Sequence, residues 1–212
     1  MQFHQPLNTV LDSAVKVRLL RFFCRKGGEW NGRQLAAQLA LNPVTAHKAL
    51  RELHQATVLD FQKVGNNFVY SLRDGHHLVR ELLKPLFQRE AQALGRLREL
   101  LRQGLNATLR RHVVSAAIYG SVATRHERPI SDVDLLVLVT SARSKRNTHQ
   151  ALDQLGETVA RTFGNPLTLY LNTVREARQK VRRGLPVFRN ILRDHQLVWG
   201  RPLEEVLRGR AA

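Results

Sequence analysis

The chain has 212 residues, 43% hydrophobic and 24% charged, a composition that suits a folded globular protein and excludes disorder and fibrous architectures. Its 34 Lys and Arg outnumber 17 Asp and Glu, giving +17, spread as 10 cations against 5 anions in residues 1–75, 8 against 3 in 76–113 and 16 against 9 in 114–212. A charge carried along the whole chain speaks against a basic tail as its source and favours folded surfaces that meet a nucleic acid or nucleotide.

The single cysteine, Cys24, excludes an intrachain disulfide and a Cys-rich zinc site, and its apolar helical surroundings predict a core position. No apolar run approaches the roughly 18 residues of a membrane span, and Met1-Gln2-Phe3-His4 lacks a charged-then-apolar signal pattern. A cytoplasmic protein without a membrane partner is expected. The length accommodates two modest domains.

Val15, Leu19, Leu20, Phe22 and Phe23 recur at helical spacing until Gly27-Gly28, which predicts a helix over 11–26. A second, short helix is predicted over about 33–40, with Leu35, Ala36 and Leu39 inward. Asn42 can cap and Pro43 can open a third, running to about Ala56. Two strand-like runs, 58–64 and 68–72, flank Gly65-Asn66-Asn67 and read as a hairpin. Three helices and a hairpin, in residues 1–75, is the order of a winged helix-turn-helix. Asn42, Thr45, His47 and Lys48 then lie in the first turns of the helix such folds present to base edges, and Lys63 with Asn66 sits in the wing. DNA is the partner this half predicts.

Residues 76–110 read as a connecting helix, with Leu82, Leu86, Leu94, Leu97, Leu101 and Leu105 forming a stripe despite Pro85. Such a helix can bridge domains or pair with its copy in a homodimer. From 111 to 212 the pattern changes. Buried-strand runs at 113–119 and 131–139 are followed by a helix near 147–163, a strand at Leu167–Leu171, a basic helix at about 174–183 and a helix near 187–194.

The chemistry concentrates in Gly120-Ser121 and Asp132-Val133-Asp134. Glycine after a buried strand lets backbone approach a phosphate, and serine opening the next helix adds a hydroxyl beside amides directed at an anion. Asp132 and Asp134, two apart on a strand, leave the same face and make an oxygen-rich site for Mg²⁺ or Mn²⁺. A metal there holds the phosphates of a nucleoside triphosphate and aligns an attacking hydroxyl.

Tyr119-Gly120-Ser121-Val122-Ala123-Thr124-Arg125, a short gap, then Ser131-Asp132-Val133-Asp134-Leu135-Leu136-Val137, resembles the signature of the minimal nucleotidyltransferases of the DNA polymerase beta superfamily. Gly164-Asn165-Pro166 and Val198-Trp199-Gly200 are similar to members fused to an N-terminal winged helix. The resemblance implies an α+β protein: a winged helix-turn-helix, a connecting helix and a nucleotidyltransferase-fold domain with a mixed sheet. It implies Asp132 and Asp134 as catalytic metal ligands, Gly120 and Ser121 as nucleotide-binding residues, and transfer of a nucleoside monophosphate, AMP from ATP, to a hydroxyl on a protein, nucleic acid or small molecule. Many active members carry a third carboxylate on a later strand, whereas Leu167-Thr168-Leu169-Tyr170-Leu171 has none and Glu176 lies beyond it. The alternative is therefore a transcriptional regulator whose degenerate transferase domain only binds nucleotide or dimerises. A third reading, also from the resemblance, is an antitoxin-like transferase that modifies a toxin encoded beside it.

Overall fold

The computed structural model describes residues 3–65, 67–105 and 107–208. They form two compact units, the first ending at Ala93 and the second starting at Leu94.

In the first unit, helix α1 (Ala14–Lys26) begins three residues later than its apolar pattern predicts, because Ser13 turns extended and its hydroxyl accepts from the Lys16 amide. Lys16 is buried yet paired, its ammonium 2.9 Å from Asp12 and 2.8 Å from Glu52. A buried charge left unpaired would cost several kcal/mol, on the order of 3–5 when one partner is removed. Helix α2 (Gly32–Gln38) starts on a reciprocal Asn31–Gln34 capping box, and α3 (Pro43–Gln55) starts where Asn42 Oδ1 accepts from the Val44 and Thr45 amides. The hairpin is present as β2 (Leu59–Val64) and β3 (Asn67–Leu72). A two-residue strand that the sequence pattern missed, β1 (Trp30–Asn31), pairs with the other side of β3. Leu19, Leu20, Phe23, Leu35, Leu50, Leu53 and Tyr70 are buried between helices and sheet, each large apolar side chain contributing about 1.5–3 kcal/mol.

The segment expected as one amphipathic helix is interrupted. A π turn (Val79–Leu83) leads into α4 (Lys84–Ala91), with Pro85 in its first turn, and a turn at Gln92 separates it from α5 (Ala93–Gly104). Proline has no N–H for the preceding turn, and the wider π turn accommodates the loss. The shifted phase buries Val79, Leu83 and Phe87 in the first unit's core and leaves Leu82 and Leu86 exposed, whereas Leu97, Leu101 and Leu105 enter the core of the second.

The second unit is built on β4 (Val113–Tyr119), β5 (Val133–Val139), β6 (Leu167–Thr173) and β7 (Gln196–Gly200), in the order β6-β5-β4-β7. Helix α6 (Ala107–Arg110) precedes β4, and the short helix α7 (Gly120–Thr124) follows it. Strands β5 and β6 are parallel and the other neighbours antiparallel, so the unit is α+β with a mixed sheet. The parallel pair requires a crossover, supplied by α8 (Ala142–Phe163), which Ser141 caps five residues before the predicted start. One face of the sheet packs Ile118, Leu135 and Val137 against α5 and α8. The other packs Ala117, Leu136 and Leu138 against α9 (Val174–Arg182), α10 (Pro186–Arg193) and α11 (Leu203–Arg208). Among the described residues no helix is long and apolar enough to cross a membrane.

Candidate functional site

Strand β4 ends in Tyr119, and the chain turns into α7 through Gly120 at φ 71. Tyr119 is paired in register with Asp134 on β5, so the turn lies directly over that carboxylate. A Cβ on Gly120 would collide with Asp134 Oδ2. The positive φ favours glycine, and a Cβ there would force the Asp134 carboxylate to move. Ser121 follows, half-buried, as the second residue of this five-residue helix.

Asp132 and Asp134 are brought together with Gly120, although β5 starts at Val133, so Asp132 occupies the loop just before the strand rather than the strand itself. Asp134 is half-buried, and loss of solvent raises its pKa above the usual aspartate value, with the neighbouring charge of Asp132 adding to the shift. Among the described residues neither carboxylate carries an ion pair with Lys, Arg or His, and no group of three or more His, Cys, Asp or Glu is assembled anywhere. Two carboxylates, one of them partly desolvated and raised in pKa by the other, form a donor set that suits a hard divalent cation with remaining positions for water and phosphate oxygen.

Strand β6 runs alongside. Asp134 is in register with Thr168, and the Thr168 hydroxyl donates to Asp132 Oδ2 at 3.0 Å. On the strand where a third carboxylate is expected, the group that touches the pair is thus a hydroxyl. Glu176 is accounted for as structure: it closes a capping box with Thr173, and both that bond and Lys145 at 3.0 Å hold its carboxyl below the ordinary range.

The same sheet face carries a second, aromatic layer. The Tyr119 and Tyr170 rings approach at 6.4 Å, Tyr170 meets Phe188 at 5.7 Å, and burial followed by the charge of Asp134 pushes the Tyr119 phenol up to about 12. Lys180, from α9, donates to Tyr170 Oη at 3.1 Å and to Asn172 Oδ1 at 2.6 Å. In the sequence Lys180 is one cation of a basic run. Nothing in a single strand's pattern shows that it reaches this face.

In the first unit, Thr45, His47 and Lys48 stand exposed along one side of α3, beside an exposed Val44, and Lys63 is exposed on β2. Asn42 is exposed too, with its carboxamide oxygen engaged in the helix cap. Asn66 lies outside the described residues. Cys24 is half-buried against the first unit's core rather than within it, and burial pushes its thiol up to about 11.

No family model matches the chain, and no curated protein matches it either. Among solved structures it is similar to spectinomycin adenyltransferase AAD(9) from Enterococcus faecialis, determined with ATP and spectinomycin, at 16% identity and TM-score 0.40 over 53% of this chain and 59% of that one. It is also similar to a toxin-antitoxin with AMP-PNP (14%, TM-score 0.32, 53% of this chain and 77% of that one). A third likeness is to human N-acetylserotonin methyltransferase in complex with SAM (17%, TM-score 0.30, 49% and 32%). The chain thus spans about three fifths and one third of the adenyltransferase and the methyltransferase. Likenesses this distant leave the site to be read from its own geometry.

Proposed function

We propose that the second unit is a nucleotidyltransferase of the DNA polymerase beta superfamily type and that the first is a winged helix that binds duplex DNA and targets it. The observation that carries the transferase reading is the Gly120 turn, bare of side chain and seated on a half-buried Asp134 that Asp132 adjoins. A carboxylate kept partly from solvent without a cationic partner costs stability, and a bound divalent cation offsets that cost. Asp132 and Asp134 hold Mg²⁺ or Mn²⁺, which when bound neutralises phosphate charge. Gly120 leaves room for phosphate to approach and Ser121 offers a hydroxyl to it. The acceptor hydroxyl oxygen attacks the α-phosphorus of ATP, the bond from that phosphorus to the bridging oxygen breaks, pyrophosphate leaves, and the hydroxyl proton passes to solvent. Thr168, donating to Asp132, fixes the orientation of that carboxylate.

The DNA reading rests on the order of the elements, with α2 and α3 joined by a short turn and followed by a hairpin, and on the exposed Thr45, His47 and Lys48. One cysteine and a surface suited to polyanions agree with a cytoplasmic location. A second reading is favoured by one observation. Thr168 stands where an activating acid would, which suits a regulator that binds Mg-ATP and transfers slowly or not at all.

Calorimetric titration with Mg-ATP tests the site. Asp132→Ala and Asp134→Ala should each weaken binding at least tenfold, a loss of about 1.4 kcal/mol or more, with circular dichroism unchanged. Equal affinity in wild type and both variants removes the metal-site claim. Labelled-nucleotide incorporation by the wild type then separates transferase from sensor.

A further inference from the structure

The hairpin of the first unit carries aromatic rings that its core leaves partly uncovered. Phe61 on β2 is opposite Tyr70 on β3, and Lys63 is opposite Phe68, so alternation along the strands puts these four side chains on one face of the pair. Tyr70 is 2% exposed, whereas Phe61 is 38% and Phe68 48% exposed. The face thus leaves the core at Tyr70 and continues outward as a row of rings. Tyr70 and Phe61 have their centres 5.0 Å apart, and Phe61 stacks on Phe68 at 5.0 Å with 20° between the planes. His54, near the end of α3, approaches Phe61 at 5.4 Å, and its Nδ1 lies 3.0 Å from the Leu59 carbonyl oxygen. Phe61 is therefore held between a buried tyrosine and a tethered histidine, and it presents Phe68 to solvent.

The surroundings are cationic. His47, Arg51 and His54 follow one another at helical spacing, so they form a stripe from the exposed front of α3 to the ring pair. The charge of Arg51 reaches the Tyr70 phenol, where it opposes the rise in pKa that burial causes. Among the described residues Arg51 and Lys63 have no carboxylate partner. The acids of α3 and β2 are engaged elsewhere, Glu52 with Lys16 at 2.8 Å and Asp60 with Arg73 at 2.7 Å. A second copy docking by this face would set cation against cation with no acid to meet either. Single exposed apolar residues are ordinary, but stacked rings beside unpaired cations suit an anion with flat apolar parts.

We propose that Phe61 and Phe68 form a stacking platform for unpaired bases, so that the first unit prefers DNA whose duplex opens, at a frayed end or a branch, over continuous duplex. The duplex arm rests on the winged-helix reading; the platform does not. A base inside continuous duplex is covered on both sides by its neighbours, whereas an unpaired base has a free face, and an aromatic ring accepts that face whatever the base. Arg51 and Lys63 meet the phosphates of the displaced strand.

The test uses the full chain in chelator without nucleotide. One probe is a 20-base-pair duplex; the other is the same duplex with its last four pairs mismatched and 2-aminopurine among them, so both carry the same number of phosphates. Anisotropy of a label on the paired end gives affinity, and 2-aminopurine fluorescence reports stacking. Wild type should bind the mismatched probe about tenfold tighter, the scale of one stacked base, and quench the 2-aminopurine. Phe68→Ala should erase the preference and the quenching while leaving the continuous duplex affinity unchanged, and Phe68→Trp should keep both. Equal wild-type affinity for the two probes overturns the proposal whatever the variants do. So does a Phe68→Ala protein with unchanged circular dichroism that retains the preference or loses affinity for both probes alike. Poly-glutamate competing as well as unlabelled DNA would assign the face to an acidic peptide, and a wild-type dimer in sedimentation that Phe68→Ala dissolves would assign it to a second copy; either overturns the platform. Binding and quenching of the mismatched probe without binding of the continuous duplex removes the winged-helix duplex reading and keeps the platform.

Discussion

The carboxylate turn of the second unit and the exposed face of α3 in the first are both short stretches of polar residues, yet they are held in different ways. Tyr119, Asp134 and Thr168 are fixed by register across three neighbouring strands, and a side chain on the Gly120 turn would displace the Asp134 carboxylate. Thr45, His47 and Lys48 share little but a helix face, and Lys48 approaches a carboxylate only loosely, with Glu52 at 3.9 Å. A site that organises a metal needs groups placed to within a fraction of an ångström, whereas a surface that meets DNA phosphates needs charge and shape and gains affinity by releasing counterions. Substitutions should therefore act steeply and locally in the second unit and gradually in the first.

The largest effect is expected from Gly120→Val. The β-branched side chain is strained at φ 71 and drives into Asp134, so Mg-ATP binding should fall below detection and the melting temperature should drop. Calorimetry and thermal melts on the same preparation check both. Normal Mg-ATP affinity in a folded Gly120→Val protein would show that the turn is not part of the site.

Next is Thr168→Asp. Tyr170, two residues further along the same strand face, is committed to Lys180 and Phe188, whereas Thr168 already touches Asp132. A third carboxylate there should tighten Mg²⁺ binding several-fold and raise transfer, and should lower metal-free stability through like-charge repulsion. Rapid transfer by wild type that Thr168→Asp does not increase would show that two carboxylates suffice.

In the first unit the combined Lys48→Gln and Lys63→Gln change should weaken duplex DNA binding only several-fold, while reducing the log affinity against log salt slope by about 2, near 0.9 for each phosphate deprived of its cation. Gel shifts at four salt concentrations read it. A slope that does not move would take these lysines off the DNA.

The sequence made the carboxylate turn legible because its demands are local and rare: a buried strand, a glycine, then two acids spaced by one where the next strand begins, although the first of them falls in the loop before β5. The cap at Asn42 and the pairing of β2 with β3 were legible for the same reason. What escaped depended on long-range register or on competition between patterns. The leucine stripe of 76–106 ignored the phase shift at Pro85, so Leu82 and Leu86 came out exposed and Phe87 buried. Strand β1 is two residues long and exists only because β3 pairs with it. Lys180 joins the site face because α9 folds back over β6, and the role of Thr168 needed the parallel pairing of β5 with β6.

The smallest expected effect tests whether the carboxylate turn costs the fold something. Burial and the charge of Asp132 raise the pKa of Asp134 in the folded chain, which means that ionising it is harder folded than unfolded. The stability that goes with its protonated form is present below the ordinary aspartate value, about 4, and is lost as pH rises through the raised folded value. Asp134→Asn removes the charge at every pH, so in metal-free buffer the variant should melt higher than wild type near neutral pH. The gain should shrink to nothing below about pH 4, where wild-type Asp134 is protonated as well. The carboxyl is only half-buried and solvent screens part of its cost, so a rise of about 1–3 °C is expected, the scale on which a fraction of a kcal/mol moves the midpoint of a chain this size. Adding Mg-ATP should reverse the order, because only wild type gains from a ligand that binds the folded state. A variant that melts lower than wild type without metal, at neutral pH, would mean that Asp134 is held for stability, and the turn would then be ordinary structure.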